Sequence, residues 1–144
     1  MVNGFNGLGL HTLFSIVRLF GGVFKNFVIV QVGLIDAGNF KGASELGRLT
    51  DHVQVEVKRY VDYLSKEGYY AEGYTTVGLD VVDEVAGLAP AILRKFPQAV
   101  FFGGQLVFPN ETPVTRFLHN NTVFAVQRRF YHEGIPVVVL PIRV

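Results

Sequence analysis

With 144 residues, 49% of them hydrophobic, and a mean hydropathy of +0.32, the chain has material for one domain with a well-covered core and no room for a second. Thirteen basic residues against twelve acidic ones leave +1, which excludes broad attraction to nucleic acid or anionic lipid, and the absence of cysteine excludes disulfides, thiolate metal sites and a cysteine nucleophile. The longest apolar run, Phe27 to Ile35, is about half of the ~18 to 20 residues of a membrane-crossing helix and is interrupted by Gln31; the N-terminus lacks the basic region of a signal peptide.

The chain opens on a glycine-dense turn, Asn3 to Gly9. Leu10, Leu13, Phe14, Val17 and Phe20 then recur at helical spacing up to Gly21-Gly22. Phe27 to Ile35 reads as a buried strand ending at Asp36. After the Gly38–Gly42 loop, Leu46, Leu49, Val53, Val57, Tyr60, Val61 and Leu64 form one apolar stripe in a long helix closed by Gly68. Tyr69 to Val77 reads as a mixed-face edge strand, and Asp80 as the N-cap of a helix carrying Val81, Val85, Leu88, Ala89 and Ile92, with a kink or break expected at Pro90. Ala99 to Phe102 reads as a buried strand, Gln105 to Asn110 as an irregular insertion with a possible short strand at Leu106 to Phe108. A final helix is expected from Thr112-Pro113 to His132, and Pro136 to Val144 is the last strand.

Helix–strand repeated four times, with β-branched strands, predicts a single doubly wound, mainly parallel α/β domain over 1–144. Only Met1 and Val2 remain for the first strand of such a sheet. That strand is therefore expected to be short or truncated, with the chain cut close to it or another segment in its place.

Function is sought at the crevice where the strand order reverses. The candidate lining residues are Asn3, Gly4, Asn6, Gly7 and Gly9 of the opening turn, Asp36 at the end of its strand, and Gly103, Gly104 and Gln105 after the later buried strand, and the first helix would offer peptide N–H groups to an anion. Glycines there equally serve positive φ and close packing, and no Lys or Arg lies in the turn. His11, His52, His119 and His132 lack the i, i+4 partner of a helical metal pair, so no metal is expected. His119-Asn120-Asn121-Thr122 puts four polar residues into an otherwise apolar helix, either facing water or reaching the crevice mouth. Asp80, Asp83 and Glu84 fit a helix start, and no catalytic constellation or cofactor is read. The final strand, apolar and at the expected sheet edge, predicts a homodimer with Val138, Leu140 and Ile142, or alternatively Val137, Val139 and Pro141, at its interface.

Three stretches carry a family resemblance: Gly4-Phe5-Asn6-Gly7-Leu8-Gly9-Leu10-His11-Thr12-Leu13; Lys25-Asn26-Phe27-Val28 with Gly38-Asn39-Phe40-Lys41-Gly42; and Leu118-His119-Asn120-Asn121-Thr122-Val123-Phe124-Ala125-Val126-Gln127-Arg128-Arg129-Phe130, continued by Val138 to Val144. Together they resemble the soluble C-terminal domain of some bacterial permeases of the amino acid, polyamine and organocation transporter superfamily. The resemblance implies a universal-stress-protein-like fold, five parallel strands in the order 3-2-1-4-5, an order that would bring the Asn3 to Gly9 turn beside Gly103 to Gln105. It also implies a cytoplasmic regulatory or accessory role on the inner membrane's inner face, non-catalytic, with the transmembrane part of the same transporter as partner. It further points to pairing of two copies through the last strand. Nucleotide-binding universal stress proteins carry Gly-x2-Gly-x9-Gly-Ser/Thr after strand four. Here Gly103-Gly104-Gln105-Leu106 is followed by Pro109, Asn110 and Pro113 without that Gly-Ser/Thr, which argues against ATP. A stand-alone nucleotide-binding module is the alternative. Gly4-x-x-Gly7-x-Gly9 with Asp36 also resembles a short-chain dehydrogenase turn and its ribose-binding acid. However, Asn3 stands in the place of its first glycine and no Tyr-x-x-x-Lys occurs.

Overall fold

The structure, a computed structural model, describes residues 1–107 and 121–143. The elements run α1 (Gly7–Leu19), β1 (Asn26–Leu34), α2 (Ala43–Lys66), β2 (Tyr70–Gly78), α3 (Val81–Lys95), β3 (Phe101–Val107), α4 (Asn121–His132) and β4 (Val137–Arg143). The expected start of the last helix at Thr112-Pro113, the His119-Asn120 half of the polar tetrad, Phe108 to Asn110 and Val144 lie outside the described residues.

The α/β class and parallel pairing hold, but a single five-stranded sheet is not what forms. β1 pairs with β2, from Asn26 opposite Tyr70 to Leu34 opposite Gly78, and β3 pairs with β4, from Phe101 opposite Val137 to Val107 opposite Arg143. These are two separate two-stranded sheets. Among the described residues, only Met1 and Val2 lie between them, joined to β1 by an isolated parallel bridge, Val2 to Gln31. The Val2 N–H donates to the Val30 carbonyl at 2.9 Å, and the Met1 amino group donates to the Phe102 carbonyl at 2.9 Å. Two residues make one rung on each side, too few for a ladder.

Alternation along β1 sorts the core into two layers. Ile29 packs with Leu13 of α1 and with Val57, Tyr60 and Leu64 of α2, the buried stripe that the 3.6-residue period predicts. Val30 and Val32 face the other way, onto Val85, Ala89 and Ile92 of α3 and Val126 and Phe130 of α4. Tyr60 and Phe130 are fully buried, each contributing roughly 1.5 to 3 kcal/mol of burial free energy. Beyond the gap, Ile16 of α1 packs on Leu140 and Ile142 of β4.

Two local expectations change. α3 runs through Pro90 without a break; Pro90 is exposed, so the Ala86 carbonyl that loses its partner there can be hydrated. β3 extends to Val107, absorbing Gln105 and Leu106 from the expected insertion. It starts at Phe101 and not at Ala99, where Pro136 ends the β4 ladder and the gap lies on the other side.

Candidate functional site

The N-terminal turn is shorter than its glycines suggest, because helix α1 begins at Gly7. Asn6 is its N-cap, accepting from the Gly9 N–H at 3.0 Å while its own amide donates to the Asn3 carbonyl at 2.6 Å. Gly4 holds φ +88°, a conformation side chains disfavour, and its carbonyl accepts from the Tyr60 hydroxyl at 2.9 Å. Burial, with Glu56 nearby, pushes the Tyr60 phenol above its ordinary pKa.

Glu56 of α2 organises the rest. Its carboxylate accepts from the Phe5 N–H at 3.3 Å and from the Gln31 amide at 2.6 Å, and His52 Nε2 stands 3.4 Å away. Gln31 is 4% exposed, and its Oε1 has no hydrogen-bond partner among the described residues. None of Gln31, Glu56 and Tyr60 was singled out as a site residue in the sequence. The signal was there: Gln31 interrupts the longest apolar run, and Glu56 falls between Val53 and Tyr60 at spacings of three and four, on the flank of the buried stripe.

On the facing sheet, a β-carbon on Gly104 would collide with Thr12 Oγ1 and stand 3.2 Å from Leu8, so α1 lies directly on the strand there. Gly103 does the same for Val123 of α4. Of Gly103, Gly104 and Gln105 it is Gly104 that meets α1, through Leu8 and Thr12; Gly103 faces α4, and Gln105 is half-buried opposite Pro141. Asp36 is engaged in its own loop, accepting from the Gly38 N–H at 3.1 Å and from Asn39 at 2.8 Å. It lines a separate hollow of about 500 Å³ with Arg48 and His52.

Chemically, this crevice offers amides, a helix start whose Gly9 N–H is already bonded, and one carboxylate committed to the fold. Among the described residues no three metal-ligating side chains cluster. Away from the crevice, Lys95 and Tyr70 both hydrogen-bond Glu72, which holds the carboxyl below its usual range and pushes the Tyr70 phenol up.

Of the expected dimer residues, Leu140 and Ile142 are 7% and 3% exposed and pack inside their own protomer against Ile16, with Val138 beside them. On the opposite face of β4, Val137 and Val139 are half-buried and Pro141 is exposed. No helix among the described residues is long and apolar enough to cross a membrane. Compared with protein-family models, curated proteins and solved structures, the chain matches none.

Proposed function

We propose that the chain is a non-catalytic regulatory or accessory domain on the cytoplasmic face of an amino acid permease-type transporter. The observation that carries this reading is the long motif set from Gly4-Phe5-Asn6-Gly7-Leu8-Gly9 to Val123-Phe124-Ala125-Val126, which resembles the soluble C-terminal domain of such permeases. The geometry is compatible with it in a specific way: Asn6, Glu56 and Tyr60 are engaged in fixing the N-terminal turn, as suits a domain that transmits a position more than one that performs a reaction. The universal-stress order 3-2-1-4-5 corresponds to β2-β1-first strand-β3-β4, with Met1 and Val2 in the first-strand place.

Uptake by the transporter carrying residues 1–144, compared in proteoliposomes with the same transporter lacking them, tests the reading. The shortened transporter is expected to fold and to differ in rate or substrate dependence. Identical uptake across the substrate range overturns a regulatory role.

The second reading, a nucleotide-binding module, draws on the packing of the first turns of α1 against Gly104 of β3, since a helix start beside a strand is where open α/β sheets bind phosphates. The missing Gly-Ser/Thr weighs against it. ATP and ADP are expected to bind no tighter than about 1 mM, roughly −4 kcal/mol, in calorimetric titration. A micromolar dissociation constant would reverse the ranking.

A further inference from the structure

A hollow of about 600 Å³ continues the line of Met1 and Val2 backwards between the two sheets. Its side walls are β1 from Asn26 to Ile29 and the approach to β3 from Gln98 to Phe102. Gly9, Leu13 and Ile16 of α1 close one face, Ile92 and Phe96 of α3 the other, and Lys25, Asn26 and Gln98 belong to the end from which the two strands start.

The width of the gap is fixed by what already spans it. Met1-Val2 reaches Val30 on one side and Phe102 on the other with 2.9 Å hydrogen bonds, so the walls stand one strand apart. Because the N–H and C=O of a strand residue point the same way, the Val30 and Phe102 amides face the gap, as do the backbone groups of Val28 and Val100 two residues back. Phe101 is consistent with this alternation: its N–H turns the other way, onto the Pro136 carbonyl. Two rows of peptide groups facing each other across an apolar hollow need donors and acceptors at strand spacing on both sides. A compact small molecule supplies them on neither.

We propose that this gap seats a further strand: an extended, apolar segment of about four residues, ~13 Å at ~3.3 Å per residue, joined to the amino group of Met1 and parallel to β1 and β3. It completes one sheet in the order β2-β1-new strand-β3-β4. With helices over both faces, the segment is a continuous apolar run such as Val-Ile-Val-Val and not an alternating one. The amino group of Met1, buried and lowered to about pKa 6, fits this placement, since a peptide N–H makes the same bond to Phe102 without a charge. The proposal deepens the transporter reading, in which membrane-embedded chain comes before this domain.

The test fuses Val-Ile-Val-Val to Met1 of the full 144-residue chain and compares it with a Gly-Ser-Gly-Ser fusion, which removes the same charge without supplying a strand. Amide exchange at Val30 and Phe102 is expected to slow at least tenfold in the first fusion relative to the second, and its melting temperature to rise. Equal exchange in the two, or slowing at only one of the two edges, overturns the proposal. If the apolar fusion precipitates, Val-Thr-Val-Val is read by the same criterion. This measurement reads the gap alone: a seated strand alongside unchanged uptake would sink the transporter reading and leave the strand standing, and the reverse result would do the opposite.

Discussion

Glu56 Oε2 accepts a 2.6 Å hydrogen bond from the amide of Gln31, tying the middle of α2 to the most buried polar side chain of β1. The same carboxylate holds the Phe5 N–H, so one side chain fixes both the strand and the turn that precedes α1. Glu56→Ala leaves Gln31 with neither amide atom paired, a desolvation cost of about 1 to 3 kcal/mol. For a domain of this size the melting temperature is expected to fall by roughly 3 to 10 °C, and Glu56→Gln, which keeps an acceptor, by much less. A loss under about 1 °C in the alanine variant would show that the network contributes nothing to stability.

Gly7 and Gly104 look alike in the sequence and should behave in opposite ways. Gly7 is exposed, lies in the first turn of α1 without positive φ, and a β-carbon there meets nothing within 4 Å. Gly7→Ala is therefore expected to stabilise by up to ~1 kcal/mol through helix propensity and unfolded-chain entropy. At Gly104 the added carbon collides with Thr12, and overpacking there is expected to cost about 1 to 3 kcal/mol. Thermal melts of both variants decide. A transport defect in Gly7→Ala with an unchanged or raised melting temperature would mark that open position as a place where a ligand approaches.

Periodicity made the helices legible because burial enforces it: Val53, Val57, Tyr60 and Leu64 had to share a face, and α2 runs where they predict. The same holds for the parallel pairing of β-branched strands with helices between them. The sheet as a whole was less legible. A central strand needs residues, and Met1-Val2 provides one rung on each side, so the expected five strands divide into two pairs. At the crevice, the sequence located the glycines but not their different uses, since a collision between Gly104 and Thr12 depends on how α1 is laid on β3. Asp36 looked like a crevice acid because it ends a strand, whereas Gly38 and Asn39 two and three residues on take up its carboxylate. The role of Leu140 and Ile142 depended on which face of β4 meets α1, and an all-apolar strand does not disclose that.

Burial of the Met1 amino group makes stability depend on pH. Its pKa is lowered from 8.0 to about 6 by desolvation, so between those values the unfolded chain binds the proton and the folded chain does not. Stability therefore rises with pH across that window; the contribution is complete above pH 8 and lost below pH 6, about 3 kcal/mol in all. Acetylation of Met1 removes the titration. In denaturant melts of the chain retaining Met1, the free-amine protein is expected to lose stability relative to the acetylated one as pH falls from 8 to 6. A difference between the two that does not vary with pH would show that the ammonium remains hydrated.

Self-association through β4 is expected to use its edge and outer side, because Leu140 and Ile142 are already committed to the protomer's core. The Pro136 carbonyl turns toward β3, so by alternation the backbone groups of Val137, Val139, Pro141 and Arg143 face outward along the edge. Pro141 has no N–H to give at that edge, which interrupts any ladder to a second copy and leaves packing of Val139 and Pro141 to supply most of the contact. A two-fold dimer burying on the order of 1,200 Å² in total is the expected state at tens of micromolar. Leu140→Lys is a poor probe, since it forces an unpaired charge into the core beside Ile16 and should unfold the protein. Pro141→Glu places a charge on an exposed position and leaves that core intact. Sedimentation is expected to give a dimer for the wild type and a folded monomer for Pro141→Glu. A wild-type monomer would rule out the association, and a dimer unaffected by Pro141→Glu would move the interface away from this edge.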